Sequence, residues 1–315
     1  MKPNTSYYHK LPRKVCKKIY FLFAIFILGW IIIIFTINQS KVGVSRSFSM
    51  KEAMVPNIVH FIIFNKNTIN FVTFLCISAA LKIQKPDQVI LHCDNTEFSG
   101  HYWSLLVSLG KKTKIRIKIS HFIRPTHVYG QPLSSIYHSA DVARILVLMK
   151  YGGIYLDTDT LLLKPLNQFL KYEMVIGLPP DDYMGCQILI GRKDARFLNL
   201  WLQGYKRYKP SMWYYNAGQY PTEQILVHNP DIFHRVPLLF GVHNLADKLY
   251  MQVEWPEWKT YFSLHLLSRH PPAPSFINET TILNDSTVFS EIATWSLFHL
   301  GPKLDVLHNE WVDIS

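Results

Sequence analysis

The stretch His138-Ser-Ala-Asp141-Val-Ala-Arg144-Ile-Leu-Val-Leu-Met-Lys-Tyr-Gly152-Gly153-Ile-Tyr155-Leu-Asp157-Thr-Asp159-Thr-Leu-Leu-Leu-Lys164-Pro165-Leu166 changes character twice. Val142, Ile145, Leu146 and Met149 recur at three- and four-residue spacing, which predicts a helix over 134–151. Gly152-Gly153 ends it, because glycine accepts the left-handed backbone at a helix C-terminus. Ile154-Tyr155-Leu156 then reads as a short apolar strand over 153–156, followed at once by Asp157 and Asp159. In extended backbone residues i and i+2 project to one side, so both carboxylates aim at one point beyond the strand. Two carboxylates that close repel unless a cation or a shared proton offsets the charge. Oxygen ligands at such a point suit Mg²⁺ or Mn²⁺, ions that bridge readily to substrate phosphates. Asp141 and Arg144, three apart on the preceding helix, serve such a site or pair with each other.

Outward from this stretch the chain alternates strands and helices. Ile58–Ile63 and Gln88–Cys93 read as buried strands and Lys114–Ile119 as a third, with helices over 68–83 and 98–109 between them. That order predicts an α/β fold with a mainly parallel sheet and right-handed crossovers. Ligands of such sheets sit outside the carboxyl ends of strands, at a switch point, where Asp157 and Asp159 fall. No Gly-x-Gly-x-x-Gly fingerprint marks a dinucleotide site. The 315 residues, 49% apolar and 17% charged, suffice for one large or two small domains with a real core. The net charge of +11 belongs to the N-terminus: residues 1–50 hold eight basic residues and no acid, leaving 25 basic against 22 acidic beyond. The predicted domain therefore carries no electrostatic footprint for nucleic acid.

Residues 19–37 contain no charged side chain and are dominated by Ile, Phe and Leu, enough to cross a bilayer as one helix. Six of the eight basic residues precede this run, so the positive-inside rule predicts a cytosolic tail at 1–18 and a signal anchor at 19–37. A cleaved signal peptide is the competing reading, but its apolar region is normally about 7–15 residues and is followed by small residues. Residues 38–55 read as a polar stem and 56–315 as the folded domain beyond the membrane. On that side Asn278-Glu-Thr280 and Asn284-Asp-Ser286 are expected glycosylation acceptors, consistent with a glycoprotein. Cys76, Cys93 and Cys186 would face an oxidising lumen, and Cys76 with Cys93 is the expected pair.

An isolated Asp-x-Asp is most often a solvated turn. The ordered run Asp-x-x-Arg, apolar helix, Tyr-Gly-Gly-Ile-Tyr-Leu-Asp-Thr-Asp resembles the sugar-binding region containing a DXD motif of glycosyltransferase family 32. That family includes α-1,4-galactosyltransferases, α-1,4-N-acetylglucosaminyltransferases and yeast Golgi mannosyltransferases. The resemblance implies a GT-A type nucleotide-sugar-binding domain and metal-dependent transfer of a hexose or N-acetylhexosamine from a UDP- or GDP-sugar to a glycolipid or glycoprotein. Retention to an α-linkage, and a single-pass type II protein of the Golgi membrane, are further implications. Asp141, Arg144, Asp157 and Asp159 are the expected catalytic residues. His60, Asp141, Arg144, Tyr155, Asp157 and His265 are expected on the donor side, and Asp157, Asp159 and His265 around the metal.

His60 matches the family's first-strand opening, which implies a place near the nucleotide. His265, in Tyr261-Phe-Ser-Leu-His265-Leu-Leu-Ser268, resembles the C-terminal histidine signature; a core histidine is the plain alternative and His299 a rival. Arg144 is expected to offer a planar donor pair to phosphate or to Asp141. Gly185-Cys186 stands where the family usually has Asn-Gly, and Gly218-Gln-Tyr-Pro221-Thr222 looks like a diverged Gly-Pro loop. Trp213, Tyr214, Trp255 and Trp258 are candidate acceptor contacts, since rings stack on sugar C–H faces. Glu223 and Asp182 are carboxylates with no assigned role, and no nucleophile is named. Two other classes stay open: a catalytically inactive nucleotide-sugar- or glycan-binding relative, and a hydrolase. The acidic pair is closer than the roughly 6.5–9.5 Å of an inverting hydrolase pair.

Overall fold

Ile-Val-His-Phe-Ile-Ile is too apolar for a strand with one wet face. In the computed structural model, which describes residues 54–313, it forms β1 (Ile58–Ile63), an interior strand of a seven-stranded sheet. The strands that follow are β2 (Gln88–Cys93), β3 (Arg116–His121), β4 (Gly153–Leu156), β5 (Thr160–Leu162), β6 (Met174–Gly177), β7 (Gly185–Gly191), β8 (His234–Val236) and β9 (Ser263–His265). The sheet runs β8-β6-β7-β4-β1-β2-β3, and β5 pairs with β9 apart from it. β1 is parallel to β2 and β4, β2 to β3, and β6 to β8. Only β7 runs antiparallel, to both β4 and β6. The expected mainly parallel α/β sheet is thus present, with one reversal where the acidic stretch leaves β4.

Alternate residues of each central strand enter two different cores, the pattern of a sheet covered on both faces. Val59, Phe61, Ile154, Leu156, Ile188 and Ile190 pack with helices α1 (Phe71–Ala79) and α2 (His101–Thr113). Ile62, Tyr155, Ile176 and Leu189 pack with α3 (Ile136–Tyr151) and α4 (Arg196–Gly204). Helix α1 begins later than the expected 68, because Asn70 caps it by accepting the Thr73 N–H at 2.9 Å. Wider π-type turns at Ala80–Gln84 extend it. The strand expected at 114–119 starts at Arg116, since α2 runs to Thr113 and Lys114 takes φ 58° to close it. Helix α4 is followed directly by a 3₁₀ turn at Tyr205–Arg207.

The α3–β4 junction positions the site. Ser135 accepts the His138 N–H at 3.1 Å to open α3. At its other end Gly152 has φ 63° and Gly153 φ 116°. A Cβ on Gly153 would stand 2.6 Å from the Ile58 carbonyl and 2.7 Å from His60 Nε2, so only glycine lets β4 lie this close to β1. His60, fully buried there, has one ring nitrogen 2.8 Å from the Gly152 carbonyl and the other 3.0 Å from His92 Nε2. The carbonyl must accept, so Nε2 of His60 carries the proton and His92 Nε2–H donates to His60 Nδ1. His92 Nδ1 is left buried without a partner.

Two expectations change at this level, the cysteine pairing and the placing of two tryptophans. The Cys76–Cys93 pair does not form: Cys76, Cys93 and Cys186 are separate buried thiols. Cys93 Sγ turns to the Asn95 carbonyl at 3.1 Å, while Cys76 sits in α1 with no exposure. Asn278, in the first glycosylation acceptor, is the N-cap of a short helix over Glu279–Asn284, where its side chain accepts from the Thr281 N–H. Trp255 and Trp258 lie in the core cluster on the α1 face. The predicted tail, anchor and most of the stem lie outside the described residues, and among the described residues no helix is long and apolar enough to cross a membrane.

Gly153→Ala is expected to lower unfolding free energy by about 2–4 kcal/mol, from backbone strain plus the two clashes, measured by urea denaturation. Burial pushes His60 down to about 4 against the hydrogen bond to Gly152. Burial first, then the charges of His60, Lys150 and Lys118, pushes His92 down to about 3. Below pH 6.5 the unfolded chain therefore takes up protons that the folded chain refuses. The contribution of this pair to stability should fall from pH 6.5 downward and level off near pH 3. His92→Gln should reduce that fall by on the order of 3 kcal/mol, read from urea midpoints at pH 7 and pH 4.

Candidate active site

β4 ends at Leu156, and the backbone turns at once. Asp157 N–H bonds the Gln187 carbonyl of β7 at 2.8 Å, and Thr160 N–H bonds the Asp157 carbonyl at 2.9 Å. This tight turn sends Asp159 and β5 out of the sheet, where β5 meets β9 antiparallel with Thr160 opposite His265. Leu266 N–H closes on the Asp159 carbonyl at 2.8 Å, and His265 N–H on the Gly241 carbonyl at 2.9 Å. Asp157, Asp159 and His265 are thereby gathered so that one ligand atom from each lies within 4.8 Å of the others.

His265 Nε2 stands 3.4 Å from Asp159 Oδ1, close to the ~3 Å between neighbouring ligands of an octahedral ion with bonds of about 2.1 Å. Two carboxylates and an imidazole suit a divalent cation such as Mg²⁺ or Mn²⁺. Burial works to raise the Asp159 carboxyl, but the charge and hydrogen bond of His265 and the charge of Arg269 hold it at about 2. His265 responds in kind. Burial disfavours its cation, yet Asp159 and then Asp157 raise it above the ordinary imidazole range.

Arg144 is buried and held on several sides within the protein. Nε donates to the Ala140 carbonyl at 3.3 Å, and Nη1 reaches both the carbonyl and the Sγ of Cys186 at 2.8 Å. Nη2 stands 3.0 Å from Asp141 Oδ1 and 3.4 Å from Asp157 Oδ1. Of the two partners expected for its donor pair, Asp141 is the one the fold sets beside the guanidinium, as an ion pair shared with Asp157. The Tyr155 hydroxyl donates to the same Asp157 Oδ1, and the Arg144 guanidinium lies over the Tyr155 ring at 5.0 Å. Asp157 thus keeps Oδ2 for a cation. Burial raises the Asp141 carboxyl and Asp157 adds to it, against the attraction of Arg144.

Asp141, Arg144, Tyr155, Asp157, Asp159 and His265 all line one cavity of about 640 Å³. His60 does not; its ring is enclosed between β1 and Gly152 because the glycine junction brings β4 against it. His299 is exposed on a separate helical turn and is also absent from the lining. Trp213 and Tyr214 line the cavity, whereas Trp255 and Trp258 pack in the core, and neither Glu223 nor Asp182 reaches it. Cys186, at the departure from Asn-Gly, supplies both its carbonyl and its thiol to Arg144, and burial pushes that thiol up to about 12. Thr222 of the Gly-x-x-Pro-Thr segment accepts the Met184 N–H at 2.9 Å and so holds the entry to β7.

Sequence reasoning passed over Lys66, Asn70, Thr73, Tyr137, Gln187, His243 and Arg269, all in the lining. Tyr137 carried a usable signal, lying four residues before Asp141 on the same helix face. Gln187 lies three residues after the Met184–Gly185 entry to β7, with no acidic or basic partner in its pattern. The others come from the first turn of α1 and from loops, with no spacing relation to the acidic pair.

Residues 83–176 match the family model described as "Glycosyltransferase sugar-binding region containing DXD motif". Glucan organizing enzyme 1 of Cryptococcus neoformans var. grubii is 25% identical over 226 residues, 66% of this chain and 56% of that protein. Lactosylceramide 4-alpha-galactosyltransferase of Mus musculus is 28% identical over 128 residues, 39% of this chain and 34% of that protein. The chain thus spans between a third and just over half of these relatives. Among solved structures, the bifunctional glycosyltransferase WbbM aligns with TM-score 0.48 at 9% identity, over 81% of this chain and 52% of that one. The galactosyltransferase LgtC, with donor and acceptor sugar analogues, aligns with TM-score 0.42 at 14% identity, over 76% and 94%.

An acidic pair at the end of a parallel strand, in a cavity of an α/β sheet, is an arrangement that can hold a divalent cation beside a bound ligand. Residues 83–176, which include Asp157 and Asp159, are similar to the DXD-containing sugar-binding region of glycosyltransferases.

Arg144→Lys removes the fork that orients Asp157, and Tyr155→Phe removes the second hold on the same oxygen. Each is expected to weaken Mn²⁺ binding about 10–100-fold, measured by electron paramagnetic resonance of free Mn²⁺.

Proposed function

We propose that the protein is a metal-dependent glycosyltransferase that moves a hexose or N-acetylhexosamine from a UDP- or GDP-sugar to a glycan on a lipid or protein, with retention to an α-linkage. The observation that carries this reading is the convergence of Asp157, Asp159 and His265 in a cavity large enough for a nucleotide sugar. A nucleotide sugar already holds an activated anomeric bond, so the enzyme must stabilise the departing diphosphate, position an acceptor hydroxyl and exclude water. A bound divalent ion supplies the neutralisation of phosphate charge that develops as that bond breaks.

The chain's own residues do the rest. Asp157, Asp159 and His265 would each present one ligand atom to that ion. Arg269 and Lys66, both lining the cavity, add positive charge toward the phosphates. Ile62, Ile63, Phe64, Ile69 and Val72 make an apolar wall on the β1–α1 side that excludes water and suits a nucleobase. Asp141 is held by Arg144 through one oxygen, leaving the other to accept from sugar hydroxyls. Positioning accounts for much of the remaining acceleration. The charge-free run at 19–37 with its basic flank supports a type II Golgi membrane protein, with residues 56–315 lumenal.

The test is a panel of UDP- and GDP-sugars with Mn²⁺, scored for nucleotide release by the full-length protein. One donor should be consumed, chelation should stop the reaction, and Asp159→Asn should lower it by about 100-fold or more, since a ligand matters at least as much as its outer partners. Silence across the panel together with retained glycan binding would favour an inactive binding relative.

A further inference from the structure

One end of the cavity carries two aromatic side chains that pack like core residues yet stand open to solvent. Tyr137 is 41% exposed and Trp213 55% exposed, and both line the cavity. Their rings meet edge to face with centroids 5.2 Å apart. Trp213 is backed by the His138 ring at 5.8 Å. His138 is itself fixed, with Nδ1 2.5 Å from the Tyr208 hydroxyl and 3.0 Å from Ser134 Oγ. On the other side, the Arg269 guanidinium lies 4.4 Å over the Tyr137 ring. Nothing in the fold requires an indole at this rim, because its burial contributes to neither core cluster.

We infer that Tyr137 and Trp213 form a stacking platform for the acceptor glycan, taking the apolar C–H face of its terminal pyranose ring. The inference rests on the glycosyltransferase reading of the same cavity. Three observations favour a sugar here over the nucleobase. The pair is exposed, so a glycan can leave the cavity toward its carrier, whereas the buried apolar residues of the β1–α1 wall offer the enclosed surface a base needs. Tyr137 and Asp141 lie four residues apart on α3, about 6 Å along the axis, so a ring stacked at the rim sits roughly one sugar from the donor carboxylate. The platform is also pre-organised by His138 and Arg269, which lowers the ordering cost of a weakly held ligand.

The experiment is saturation-transfer NMR on the full-length protein in a non-glycosidic detergent with Mg²⁺. The probes are UDP, GDP and the methyl glycosides of glucose, galactose, mannose and N-acetylglucosamine. At least one glycoside should receive saturation on its ring protons in the unmodified protein. Trp213→Ala and Tyr137→Ala should each lower that signal about fivefold, while Trp213→Phe keeps it within about twofold. No glycoside signal in the unmodified protein, or a signal unchanged in Trp213→Ala, overturns the platform. So does a loss confined to the nucleobase protons, which would make it a base-stacking site. Failure of both nucleotides to bind counts against the glycosyltransferase reading instead, and leaves the glycoside signals to judge the platform.

Discussion

Three carboxylates, Asp141, Asp157 and Asp159, converge within one largely buried space, and their mutual repulsion must be offset for the chain to fold around them. Arg144 offsets two of them through a single nitrogen, and His265 offsets the third. Each cation is brought by a different part of the fold. Arg144 rides on α3, one turn from Asp141, while His265 arrives on β9 through its pairing with β5. The arrangement leaves Asp157 Oδ2 and the open side of Asp159 without a fixed partner, and these are the oxygens a divalent ion would take.

The sheet explains why this meeting happens where it does. β4 is buried on both faces and continues directly from α3 through two glycines with positive φ. The antiparallel β7 then covers the other edge of β4 and supplies the Gln187 carbonyl that fixes the Asp157 amide. One strand reversal in a parallel sheet therefore both ends β4 and anchors the turn that carries the acidic pair. Cys186, beside it on β7, completes the holding of Arg144. A side chain that reads as a departure from the family pattern serves as part of the frame, and its raised thiol keeps it uncharged there.

The cavity divides by chemistry into an apolar wall from the β1–α1 segment, an acidic centre and an aromatic rim. A nucleotide sugar and its acceptor have the same three parts in the same order: base, diphosphate and reacting sugars. Arg269 connects two of the parts, since its guanidinium covers Tyr137 while its charge acts on Asp159.

Local pattern carried far in this chain. The helix, the glycine break, the strand and the position of the acidic pair were legible in 138–166, because each depends on residues within one or two turns of one another. The strands 58–63 and 88–93 were legible for the same reason, as short apolar runs. His265 was indicated beside the acidic pair by its resemblance to a C-terminal histidine signature and not by periodicity, since Thr160 and His265 meet across about a hundred residues. The tertiary structure alone decided that Arg144 is tied to Cys186 of β7, that His60 belongs to a buried pair, and that Trp213 is at the rim while Trp255 is in the core. Periodicity reports which residues share a face of one element. Which faces meet is set by packing among elements distant in the chain, and that is where the partners of each charged group are chosen.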